Sequence, residues 1–345
     1  MVHKRRDFLI TFTILCLAMC ACSGFQYLGS AFYGLVWHRI HGLGSGGARL
    51  LSGLFDSPWT GVLVQYIFSI GAPFLLVVPM TCFVRSDRRP AHTLPAEVWM
   101  SALFMCLGLG YIFNFLGVFL DVFFSIFTGV PATDMNPVMD ALDELTPGMV
   151  IYTCLIAPFM EEFIFRGVLL KKARRFGDRT AVVYCAVMFG LMHGNLNQCL
   201  YAVVIGLILG YVAVRTNRIF YNVLLHMAVN SFSMMLVLVE NGLNALGMSA
   251  MAAAFSVGSF IMILLLIAAG IYFFFRDGRR YWWQMGRQNG WPTPYRRYVY
   301  LNPGFILYMI IFGIEMISYI YRKSFRENSS LERISGSVAA VWKTT

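Results

Sequence analysis

Long apolar runs, separated by short and mostly basic polar segments, dominate this chain. They cover about Phe8–Tyr27, Trp59–Val84, Val98–Ile126, Gly148–Leu170, Thr180–Gly194, Cys199–Val214, Ile219–Val239, Met251–Phe275 and Phe305–Tyr321. Several reach the roughly 20 residues needed to cross a hydrocarbon core of about 30 Å. Their apolarity is continuous rather than alternating, which excludes a β-barrel and predicts helices. The fold class expected is all-α: a polytopic transmembrane helical bundle of about eight to nine membrane helices. The fifth run is short, and the ninth, which contains Glu315, is predicted either to cross the membrane or to lie at its surface.

The segments between the runs refine this picture. Lys4, Arg5 and Arg6 precede the first run, and Ala18 and Ala21 offer small residues near its end, as in a secretory signal. Hydrophobicity continues past that point and favours a retained first helix. The Leu17–Cys20 stretch makes a poor lipobox, because Met19 is too large before the cysteine. His41 to Gly47 (HGLGSGG) is expected to be a flexible connector, NLNQ after Gly194 a loop, and the polar tail Ser324–Thr345 disordered. This divides the chain into N-terminal membrane helices over 1–147, a core over 148–235 and C-terminal helices with the tail over 236–345.

Composition agrees with the pattern. Of 345 residues, 58% are hydrophobic and 13% charged, and the mean hydropathy is +0.66, which excludes a soluble domain. The net charge of +10 comes from basic clusters between apolar runs, not from a basic face with interleaved aromatics, so nucleic acid is not an expected partner. Clusters at the N-terminus and over 85–92, 171–179, 215–218 and 276–298 place those segments and the N-terminus in the cytoplasm. The 127–147 connection, with Asp134, Asp140, Asp143 and Glu144 and no Lys or Arg, falls outside. A ninth crossing would put Arg322, Lys323 and Arg326 outside, against the rule. The expected location is a multi-pass integral membrane position, in the plasma membrane if the source is prokaryotic, with membrane lipid as a partner. The eight cysteines contain no Cys-x-x-Cys pair and read as small core residues.

Three short patterns stand out because ionisable groups inside lipid are costly and tend to serve function. They are Glu161-Glu162-x-x-x-Arg166, Phe189-x-x-x-His193 and His226-x-x-x-Asn230. Residues four apart share a helix face, so Glu162 can pair with Arg166, while Glu161 points elsewhere and is free to meet another helix. A carboxylate beside a histidine can activate water as a general base, and a second histidine with an amide can stabilise an oxyanion. That set suffices for peptide hydrolysis without a covalent nucleophile. Taken singly, the Glu–Arg pair reads as a structural clamp, the histidines as hydrogen-bonded core residues, Asn230 as interhelical glue and Phe189 as packing. Their order on three different helices is the signal.

At these residues the chain resembles the CPBP family of intramembrane proteases, which includes the type II CAAX prenyl endopeptidases and the bacterial Abi or bacteriocin-immunity proteins. APFMEEFIFRG matches the family's EExxxR motif, FGLMH its FxxxH and HMAVN its HxxxN, over about residues 148–235. The resemblance implies an intramembrane endopeptidase in which Glu161 acts with His193 on water, His226 and Asn230 form the oxyanion site, and Glu162, Arg166 and Phe189 support the pocket. It implies a hydrophobic or lipidated peptide or protein substrate, through CAAX-type C-terminal processing or bacterial peptide maturation and immunity. No cofactor is favoured. Zinc is the alternative, with Glu161, His193 and His226 as ligands, because two His and one Glu match an open catalytic zinc by count, although no H-E-x-x-H is present. The competing functions are a non-catalytic membrane scaffold or immunity protein of the same fold and a proton-coupled transporter. Glu161 lies about ten residues, or about 15 Å of helix, from the basic end of its segment, which predicts a cavity opening to the cytoplasm.

Overall fold

The structure, a computed structural model, describes residues 2–42, 46–143, 145–282 and 297–342. Among the described residues it is helical, without β-strand: α1 (Val2–Gly42), α2 (Gly46–Asp56), α3 (Gly61–Met80), α4 (Ala96–Thr128), α5 (Pro137–Asp143), α6 (Pro147–Phe176), α7 (Asp178–Leu191), α8 (Leu196–Thr216), α9 (Ile219–Ala245), α10 (Ser249–Trp282) and α11 (Pro303–Trp342). Eight helices among the described residues are long and apolar enough to cross a membrane: α1 from Arg5, α3, α4, α6, α8, α9, α10 and α11 as far as Lys323. The chain is thus a polytopic helical bundle. The fifth predicted helix is α7, 14 residues long and sunk among its neighbours rather than facing lipid.

Helix ends follow local chemistry. Thr146 caps α6 by accepting from the Met149 N–H, with Pro147 at the first helical position. Gly129 and Asn217 close α4 and α8 in left-handed conformations, at φ 71° and 51°.

Four boundaries differ from the sequence reading. α1 continues past Tyr27 because nothing from Leu28 to Gly42 breaks a helix, so His41 and Gly42 are still helical and Gly46 already opens α2; residues 43–45 of the predicted connector lie outside the described residues. NLNQ is not a loop: the Asn195 side chain accepts from the Gln198 N–H at 2.9 Å and starts α8 there. α6 runs on through the basic cluster to Phe176. The tail is not irregular, as α11 continues to Trp342, through a stretch that lacks proline. Glu144, residues 283–296 of the last basic segment and 343–345 lie outside the described residues.

The basic segments gather at one end of the bundle. Asp87 and His92 donate their backbone N–H groups to the carbonyls of Lys171 and Thr216. The Lys172 ammonium is buried on the carbonyls of Thr81 and Val84, at 2.7 and 2.9 Å. Asp178 accepts from Arg174 at 2.9 Å and Arg89 at 3.1 Å, and Arg175 reaches Asp7 at 2.7 Å. Six of the eight cysteines are buried, as expected of core residues; Cys82 is exposed at this basic end and Cys199 is half-buried.

α11 resolves the ambiguity of the ninth run. Its Gly304 packs against Thr13 and Cys16 of α1, and Glu315, eleven residues on, lies beside Tyr27. The two helices therefore run parallel through the bundle, and Arg322 and Lys323 emerge at the end opposite the basic clusters. Elsewhere a close crossing joins α4 to α10. A Cβ on Gly108 would meet the Leu266 carbonyl oxygen at 2.3 Å and Gly270 Cα at 2.7 Å, so only glycine permits that approach.

Candidate active site

α6 carries the paired glutamates, and its backbone is not a regular α-helix. The ladder widens over Tyr152–Ile156 and again over Phe163–Leu169, where N–H groups reach five residues back. Ala157 accordingly donates to the Tyr152 carbonyl. In that register the next donor would serve Thr153, but residue 158 is proline and has no N–H. Asn230 of α9 supplies the missing donor, its Nδ2 lying 2.9 Å from the Thr153 carbonyl oxygen.

Glu162, between the two widened turns, is wholly buried, and Arg166, within the second, is 1% exposed. Glu162 Oε1 accepts from Arg166 Nη1 at 2.7 Å and from His226 Nδ1 at 3.0 Å. Arg166 Nη2 also donates to the Gly206 carbonyl of α8 at 3.3 Å. A charged pair this deep persists because each partner satisfies the other and both have further hydrogen bonds. Glu162 Oε2 has no hydrogen-bond donor among the described residues, which leaves one acceptor unused there.

Both histidines have one nitrogen committed. His193 Nδ1 lies 2.8 Å from the Phe189 carbonyl, which only accepts, so Nδ1 carries the proton and Nε2 the lone pair. His226 Nδ1–H is held by Glu162, leaving Nε2 to face Glu161 Oε2 at 3.7 Å. Phe189 joins the groups: its ring stands edge-on to His193 and His226, with centroids 5.2 and 5.7 Å away, and the Arg166 guanidinium lies 4.7 Å above it.

The structure therefore brings Glu161, Glu162, Arg166, Phe189 and His226 into one cluster, with His193 against Phe189. Asn230 is one helical turn along α9, tied to Thr153. Sequence reasoning missed Thr153 and Gly206. Pro158, inside an apolar helix, was the signal for the first. Gly206, where a Cβ would sit 3.0 Å from Ala186 Cα, marks the close approach that presents its carbonyl to Arg166. Among the described residues, no three His, Cys, Asp or Glu side chains are grouped as a metal-binding set. The zinc alternative gains no support from the arrangement of Glu161, His193 and His226.

Residues 143–232 match the family model described as type II CAAX prenyl endopeptidase Rce1-like. The matched segment contains all three motifs and reaches from the start of α6 into α9, so the resemblance seen in the sequence holds. Over 155 residues the chain is 25% identical to the Bacillus subtilis (strain 168) protein named "Putative membrane peptidase YdiL", an alignment covering 41% of this chain and 62% of that protein. No solved structure matches the chain. The flanking helices α1 to α4, α10 and α11 lie outside the matched Rce1-like region.

Proposed function

We propose that this protein is an intramembrane endopeptidase of the CAAX type, hydrolysing a peptide bond of a hydrophobic or lipidated peptide or protein by direct attack of water. Glu161 is the general base: it takes a proton from a water held beside the Nε2 lone pair of His193, and the hydroxide adds to the scissile carbonyl carbon. His226, oriented through Nδ1–H by Glu162, presents Nε2–H to the oxyanion, with the second N–H of Asn230 beside it. The proton on Glu161 passes to the leaving nitrogen as the carbon–nitrogen bond breaks, giving an acid and an amine. Arg166 pairs with Glu162 and Phe189 packs against both imidazole rings. The N-terminus and the basic end of the bundle face the cytoplasm, so the cavity opens to that side.

The observation that carries this reading is the 3.7 Å approach of Glu161 to His226 Nε2 beside a fully buried Glu162–Arg166 pair, inside an Rce1-like domain. A scaffold has no need of a carboxylate set against a histidine ring nitrogen. The test is cleavage of hydrophobic and prenylated C-terminal peptides by the purified protein in liposomes, mapped by mass spectrometry, with and without a chelator. Cleavage untouched by chelator supports the glutamate mechanism. Loss restored by zinc would move the site to metal chemistry, and no cleavage across the library would contradict the proposal.

A further inference from the structure

At the basic end of the bundle, α4, α8 and α10 line a polar cavity of about 210 Å³. Three arginines line it: Arg215 from the last turn of α8, and Arg276 and Arg280 from the end of α10. Its carboxylates are Glu97 and Asp277. Asp277 is already engaged, accepting from Arg276 at 2.6 Å and from the Ser101 hydroxyl at 2.8 Å. Tyr281 forms the floor, stacked on Tyr211 at 4.2 Å, and the Tyr211 hydroxyl accepts from Arg215 Nη1 at 2.7 Å, which steers that guanidinium.

We propose that this cavity binds the phosphate headgroup of an anionic phospholipid. Three lines of structure support it. Guanidinium groups match phosphate oxygens in a planar, two-pronged geometry that other cations lack, and basic pockets between membrane helices on the cytoplasmic side suit acidic headgroups. The cavity is smaller than the roughly 300–1,000 Å³ of pockets that enclose whole small molecules, so it holds a headgroup and leaves the rest outside. The wall beside it is lipid-facing. Only 6% of the apolar window of α10 is buried inside the protein, and Tyr272, Phe274 and Phe275 lie exposed directly above Arg276. Acyl chains anchored at the cavity would run along that wall. Arg276 itself lies 4.5 Å from the Phe273 ring centroid, at the junction of the two environments.

The lipid site would couple to the protease domain through α8. Arg215 ends the helix whose Gly206 carbonyl holds Arg166, nine residues earlier. A headgroup bridging α8 and α10 would fix the distance between the domain and the flanking helix.

The test uses the full-length protein in detergent, with lipid retention read by native mass spectrometry. Phosphatidylglycerol, phosphatidylcholine and inorganic phosphate are the probes. Wild type is expected to retain phosphatidylglycerol over phosphatidylcholine. Arg215→Ala and Arg280→Ala should each lower that retention roughly fivefold. Arg279→Ala removes an adjacent exposed arginine that does not line the cavity, and should leave retention unchanged. Arg280 is exposed, so its variant is expected to stay folded even if the Arg215 variant does not. Equal loss in the Arg279 and Arg280 variants would reduce the effect to general charge and overturn the proposal. So would equal retention of the two lipids. Binding of inorganic phosphate that displaces the lipid at equal concentration would assign the cavity to a soluble anion instead.

Discussion

The Nδ1 of His226 lies 3.0 Å from Glu162 Oε1, the same oxygen that takes Arg166 Nη1 at 2.7 Å. One carboxylate oxygen thus joins α6 to α9 and balances the guanidinium, with its partners at the centre of the bundle. In the proposed mechanism Glu162 is a positioning residue, and Glu161 beside it faces the substrate.

Breaking that pair should destabilise the protein. Arg166→Ala strands a buried carboxylate, and Glu162→Gln strands a buried guanidinium; each is expected to cost about 3–5 kcal/mol. The double variant Glu162→Gln/Arg166→Met should recover much of the loss, because it removes both charges. Thermal unfolding of the purified variants in detergent reads this out. A double variant as unstable as the singles would show that the pair is not the source.

Asn230 and Pro158 should be coupled. Asn230→Ala leaves the Thr153 carbonyl without a donor and is expected to cost about 1–3 kcal/mol. Pro158→Ala restores a backbone N–H in α6 and should reduce that cost when combined with Asn230→Ala. Measured stability with no coupling between the two would mean that Asn230 serves the oxyanion alone.

Much of this was legible in the chain. Continuous apolar runs gave the helices, and three four-residue spacings named the side chains that converge, because a shared helix face is a property of sequence alone. What stayed hidden depends on tertiary contacts. The first wide turn of α6 ends two residues before Pro158 and the second begins at Phe163, and no 3.6-residue periodicity reports either. Sequence offers Asn230 either as interhelical glue or as an oxyanion donor, and neither reading names Thr153, whose carbonyl occupies one of its hydrogens. The course of α11 rests on Gly304 meeting Cys16 and Glu315 meeting Tyr27, contacts across almost the whole chain length. The side chain of Asn195 starts α8, and a capping asparagine before an apolar run is a signal that sequence does carry.

Orientation can be tested with single cysteines at exposed sites. Ser86→Cys lies at the basic end and Thr133→Cys in the acidic connection. An impermeant maleimide added outside intact cells should label Thr133→Cys and spare Ser86→Cys. The reverse pattern would invert the topology and turn the catalytic cavity outward.

The most direct measurement is peptide cleavage by Glu161→Gln, made beside wild type under conditions where both are monodisperse. Glu161 is not part of the buried Glu162–Arg166 pair, so the variant should unfold within about 1 kcal/mol of wild type while activity falls by at least about 100-fold, as expected for loss of a general base. A folded Glu161→Gln protein that cleaves at the wild-type rate would contradict the account.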